Sequence, residues 1–225
     1  MFQDLGSAPA TMEAAKIVDF YGCSPGNVIQ VADAEQAYVQ AEMKGTPTWI
    51  CLPPEERPPA WATKPKYRNM RRPVCRLRKA LYGHPDAGSF WEQKVDDHCK
   101  AVGFASVGPE WPSCYYHKAL KLYLVVYVDD FKLAGPKDSM KKGWDLLRKG
   151  LSIESEDTIG TEGSHFLGCK QTRTTLRLPN GKLATCMTYD MEEFIGSCVS
   201  KYQELVGPSF VVKPALTPFL VEDQR

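Results

Sequence analysis

The chain has 225 residues, 43% of them hydrophobic, and a formal net charge of +1. That is enough apolar material for a real core, the near-neutral balance gives no global sign of a nucleic-acid partner, and no apolar run approaches the roughly 20 residues that span a bilayer. The polar stretch 1–10 has no signal-peptide character, so the scattered cysteines, with no C-x-x-C pair, read as reduced thiols of an intracellular, most simply cytoplasmic, protein.

In chain order, Met12, Ala15, Ile17, Val18 and Phe20 mark a helix over 11–22 that Gly22 ends. Asn27 to Ala32 is a short buried strand with Asp33 at its end, and 34–43 is helix-compatible up to the stop at Gly45-Thr46-Pro47. A strand over 48–52 closes on Pro53-Pro54, and the proline-rich, basic stretch 55–73 reads as loop. Further strands are expected over 74–77, 113–117, 121–128, 131–134 and 165–172, and as a hairpin 175–178/182–187 turned by Asn180-Gly181. Helices are expected over 86–101, capped by Asp86, over 137–150, with Met140, Trp144 and Leu147 on one face, and over 190–206. The C-terminal tail, with Pro208, Pro214 and Pro218, reads as irregular. Strands and helices alternate without strict βαβ spacing, which predicts an α+β domain whose antiparallel sheet carries its helices on one face.

The run Leu122 to Ala134 contains a conflict. Asp129 and Asp130 sit adjacent in an otherwise apolar, β-forming stretch, where a buried carboxylate is costly. A tight hairpin with both acids at its tip resolves it. Two readings stand there: aspartate as a turn former, or two carboxylates presented to a divalent cation. Phosphoryl transfer over two Mg²⁺ ions needs hard oxygen ligands converging on one point, and Asp33, which alone reads as a helix N-cap, is the candidate third ligand. The basic stretch 57–79, with nine Lys and Arg and no acid, is either a solvated loop or a phosphate-backbone footprint. Cys114-x-x-His117 has zinc-like spacing, but an ordinary strand explains it more simply.

Tyr127-Val128-Asp129-Asp130 resembles the Tyr-x-Asp-Asp signature of reverse transcriptases, and the segments around it resemble the copia-type retrotransposon enzymes in order and spacing. Asp33-Ala34-Glu35-Gln36-Ala37-Tyr38-Val39 stands where that family has its first catalytic aspartate. Trp49 to Glu55 is similar to its extended segment and turn. Cys75-Arg76-Leu77-Arg78-Lys79-Ala80-Leu81-Tyr82-Gly83 is similar to Cys-Arg-Leu-x-Lys-x-Leu-Tyr-Gly. Trp91, Gly103-Phe104, Phe166-Leu167-Gly168 and Thr217-Pro218 follow in the family's order.

The resemblance implies a polymerase palm over 12–218, between an irregular segment 1–11 and a tail 219–225, with fingers truncated and thumb absent, as a piece of a longer Pol polyprotein. It implies an RNA-directed DNA polymerase in which Asp33, Asp129 and Asp130 coordinate two Mg²⁺ ions, with Mn²⁺ as a substitute. The partners implied are an RNA or DNA template, its primer and deoxynucleoside triphosphates. Ala34 and Glu35 would lie near the triphosphate, where backbone N–H groups could help. Tyr38 would be an aromatic gate against the ribose 2′-hydroxyl. Asp86 would lie near the nucleotide, and Arg71, Arg72, Arg76, Arg78, Lys79 and Tyr127 along the nucleic acid. The chain departs from the family after Gly83: Asp86 and Ser89 replace a glutamine and an arginine. The alternative is a non-catalytic module that keeps the fold and binds nucleic acid through 57–79.

Overall fold

The computed structural model describes residues 7–68 and 70–207, apart from the side chain of Arg68. The Thr217-Pro218 match, the tail 219–225, the start of segment 1–11 and the prolines 208, 214 and 218 lie outside the described residues. The chain opens with helix α1 (Met12–Gly22), capped by Thr11, whose side chain accepts the Ala14 N–H at 3.2 Å. Strand β1 (Asn27–Asp33) and the single turn α2 (Ala37–Gln40) follow. Strand β2 (Trp49–Cys51) pairs with β3 (Val74–Arg76), and between them lie a 3₁₀ turn at Pro54–Glu56 and the one-turn helices α3 (Ala60–Thr63) and α4 (Pro65–Arg68). Helix α5 (Ala87–Ala101) leads to β4 (Ala105–Ser106), β5 (Cys114–His117), β6 (Leu122–Tyr127) and β7 (Asp130–Pro136). Helix α6 (Lys137–Leu147), β8 (Asp157–Thr158), β9 (Ser164–Phe166), β10 (Cys169–Arg177), β11 (Leu183–Asp190) and α7 (Glu192–Val206) complete it. Among the described residues no helix is long and apolar enough to cross a membrane.

Six strands form one antiparallel sheet in the order β4-β5-β6-β7-β1-β8, and β11-β10-β9 form a second. Side-chain alternation along β7 sends Phe131 and Leu133 to one face and Lys132 and Ala134 to the other. The first face packs on Trp91 and Val95 of α5 and Met140, Trp144 and Leu147 of α6. The second packs on Ala14, Ala15 and Val18 of α1, with Phe166 and Ile159. The expectation of helices on one face is therefore corrected. Both faces of the central strands are lined by buried side chains, and each must be covered. Gly22 lets α1 close on the sheet, because a Cβ there would strike Ile29 and come within 3.2 Å of the Ala134 Cβ.

Two more expectations change. The helix over 34–43 shrinks to one turn, because Gln36 takes a left-handed backbone (φ +48) and the chain from Ala41 runs extended to bridge Glu42 with Lys79. The strand over 165–172 is two strands. Leu167 (φ +51) and Gly168 (φ +72) make a tight turn, and β10 then runs unbroken to Arg177. Helix α7 has an apolar side formed by Phe194, Ile195 and Val199, but none of its residues is buried.

Candidate active site

The sheet order puts β1 beside β7, and the register pairs Asp33 directly with Asp130. Residues nearly a hundred positions apart thus stand side by side on the α1 face of the sheet. Asp129 lies in the two-residue turn between β6 and β7, where Tyr127 pairs with Asp130. The tip is therefore Val128-Asp129, not Asp129-Asp130. Val128 adopts φ +56, a conformation that β-branched residues avoid. Two bonds hold it there: the Trp91 indole N–H donates to the Val128 carbonyl at 2.6 Å, and the Ala34 N–H to the Asp129 carbonyl at 2.8 Å. Such strained residues persist only where their surroundings over-determine them.

The carboxylates feel one another. Burial first, then the charges of Asp33 and Asp129, push Asp130 from the ordinary carboxylate range up to about 7. Crowded hard oxygens of one charge fit a hard divalent cation, and Mg²⁺ takes only one or two protein carboxylates while waters and phosphate oxygens fill the rest. Among the described residues, however, no three His, Cys, Asp or Glu side chains stand close enough to cage a metal unaided. That holds equally for Cys114 and His117: burial raises the Cys114 thiol to about 11, and the His117 ring lies edge-on to Phe104 with Nδ1 facing the Leu120 N–H.

Tyr38 belongs to this neighbourhood. Burial raises its phenol and the Asp129 charge raises it further, and its ring lies 4.5 Å from that of Tyr82. The amides of Ala34 and Glu35 do not fit the part expected of them. The first is engaged by Asp129, and the second donates to the Ser152 carbonyl at 3.0 Å, so neither is left for a phosphate. Asp86 is exposed at the start of α5, caps it with no side-chain bond and makes no hydrogen bond or ion pair with the three aspartates. Tyr127 is 37% exposed. In the basic stretch Arg71, Arg72, Arg76, Arg78 and Lys79 are all exposed, and Lys79 reaches the Gln40 carbonyl at 3.3 Å.

The sequence reading missed the Trp91 anchor and a buried polar cluster behind the site. Lys132, on the same face as Asp130, has no exposed surface. Its ammonium contacts Asp19 Oδ1 and Oδ2 at 2.9 and 3.0 Å and Gln171 Oε1 at 2.7 Å, and lies 4.2 Å from the Phe166 ring centroid. The Tyr189 hydroxyl donates to Asp19 at 2.9 Å. A lysine in the apolar run Phe131 to Ala134 was the available signal, the same kind of conflict that flagged the aspartates.

No family model matches the chain. Among curated proteins, a retrovirus-related Pol polyprotein from transposon RE2 of Arabidopsis thaliana is 28% identical over 102 residues, covering 44% of this chain and 7% of the relative. The chain thus corresponds to a small fraction of that protein's length. Among solved structures, a telomerase from Candida albicans, in complex with a TWJ fragment of telomeric RNA, aligns with 76% of this chain and 34% of its own at 12% identity and a TM-score of 0.29, too slight a likeness to define the fold.

Proposed function

We propose that this chain is the palm of a reverse transcriptase from a copia-type retrotransposon, an RNA-directed DNA polymerase acting on a primer 3′-hydroxyl and deoxynucleoside triphosphates. The observation that carries the reading is the cross-strand pair Asp33–Asp130, with Asp129 in the adjoining turn. The distant likeness to a retrotransposon Pol polyprotein supports it. Asp33, Asp129 and Asp130 would hold Mg²⁺, which when bound supplies charge neutralisation for the triphosphate and a more acidic 3′-hydroxyl. The protein's own part is positional. The Val128 turn, fixed by Trp91 and Ala34, keeps Asp129 beside the β1 strand end, and Tyr38 borders the same space as a steric gate against a 2′-hydroxyl.

A second reading, a nucleic-acid-binding module without catalysis, draws on the engaged Ala34 and Glu35 amides and on the lack, among the described residues, of a preformed three-ligand cage. Primer extension on an RNA template, with and without Mg²⁺ or Mn²⁺, separates the two. Metal-dependent extension that Asp129→Asn abolishes supports the polymerase. Extension that survives in that variant removes the metal role, and binding with no extension under either metal favours the module.

A further inference from the structure

A second cluster of charge lies beyond α2, outside the aspartate site. The backbone carbonyl of Gln40 accepts two ammonium groups, from Lys94 of α5 at 2.9 Å and from Lys79 at 3.3 Å. The carbonyl is held rigidly. The Gln40 side chain accepts the Ser152 N–H at 2.9 Å and donates to the carbonyls of Glu35 and Ser152 at 2.7 and 2.9 Å. Two like charges brought to one oxygen repel each other, and little here offsets them. Glu42 approaches Lys79 only to 4.0 Å with both side chains exposed, a contact of small value, and Lys94 makes no ion pair among the described residues. An ammonium has three donors, so each lysine keeps hydrogen-bonding capacity beyond the shared carbonyl. Burial, then the Lys79 charge, lowers the Lys94 pKa, in keeping with a cation short of counter-charge.

The surroundings extend the cluster along a path. A cleft of about 470 Å³ is lined by Lys44, Lys79 and Lys94, and a neighbouring cleft of about 200 Å³ shares Lys44 and Lys79 and adds Arg76 and Arg78. Glu42 and Asp97 are the carboxylates lining the pair. In a chain of net charge +1 this is a local concentration of positive charge. A run of cations along adjoining clefts matches a repeating polyanion better than a single phosphate.

We propose that Lys79 and Lys94, with Lys44, form a phosphate cradle for the sugar–phosphate backbone of a nucleic-acid strand that continues toward Arg76 and Arg78. The inference rests on the nucleic-acid reading above and adds to it a contact point on α5, outside the basic 57–79 stretch.

The test is equilibrium binding of the full chain to a labelled primer–template across a salt series, for the unmodified protein and for the double variant Lys79→Gln/Lys94→Gln. Each phosphate contact contributes about 0.9 to the slope of log K against log salt on duplex, so the double variant should lower the slope by about 2. Lys79→Arg/Lys94→Arg should restore it, and Lys141→Gln, an exposed α6 lysine paired with Asp145, should leave it unchanged. If the glutamine pair leaves the slope as it was, or Lys141→Gln lowers it equally, the cradle is wrong while the polymerase reading stands. If the unmodified chain binds no primer–template at all, both fall. Should thermal melting show that Lys94→Gln does not fold, Lys44→Gln/Lys79→Gln carries the same expectation and the same refutation.

Discussion

The Trp91 indole N–H and the Val128 carbonyl meet at 2.6 Å, joining the first turns of α5 to the one residue of the aspartate hairpin with an unfavourable backbone. Replacing the tryptophan removes a buried ring and leaves a carbonyl without its donor. Trp91→Phe should destabilise by about 2–3 kcal/mol. Val128→Asn, which tolerates positive φ, should instead stabilise by about 1 kcal/mol. Urea denaturation of both variants checks the pair of opposite signs, and equal destabilisation would show that the turn is not strained.

Asp130 sets a pH dependence of stability. Its folded pKa, about 7, lies above that of the unfolded chain, so the folded state binds the extra proton. The stabilisation is full below the unfolded value and is lost as pH rises through about 7. Because the side chain is only partly buried, solvent screening limits the effect to about 1–2 kcal/mol. Asp130→Asn should flatten the melting temperature between about pH 4 and 8. A steeper decline in that variant would assign the slope elsewhere.

Divalent metal should act on the same group in the opposite direction. At pH 8, where the three carboxylates repel, millimolar Mg²⁺ should raise the melting temperature by mass action, and chelation should reverse it. Asp33→Asn should abolish the shift. An equal shift in Asp33→Asn would locate the ion away from this sheet face.

The Lys132–Asp19 pair should be costly to break from one side. Lys132→Met leaves a carboxylate that is 1% exposed with, among the described residues, only the Tyr189 hydroxyl as a side-chain hydrogen-bond donor, and should destabilise by about 3–5 kcal/mol. Lys132→Met/Asp19→Leu should recover a large part of that loss, because neither charge is then stranded. Chemical denaturation of both variants decides it, and additive losses would mean the two groups do not couple.

Much of the main sheet was legible because its signals are local. The apolar runs at Asn27–Asp33 and Leu122–Tyr127, the break at Asp129 and the Met140/Trp144/Leu147 stripe each specify an element within a few residues. Asp33 was legible as a strand-ending candidate for a third ligand, and its pairing with Asp130 comes from the register of the folded sheet. What stayed hidden depends on partners remote in sequence. Gln36 turns left-handed where the neighbouring Gln40 is bound to Ser152, more than a hundred residues away, so no window around 34–43 could show that the helix stops. Helices on both faces follow from Lys132 being neutralised by Asp19, which lets the second face of β7 be buried.

The Lys132 ammonium also bears on how much chain is needed for the sheet to exist. Its ligands and cover come from α1, β9 and β10, and Tyr189 of β11 holds its partner Asp19. A truncation after α6 would keep every strand from β1 to β7 and still strip Lys132 of Phe166 and Gln171 and Asp19 of Tyr189, opening an ion pair to water in the middle of a layer built to be dry. The smallest autonomous unit therefore extends through β11, and the late hairpin is part of the foundation on which the aspartates stand.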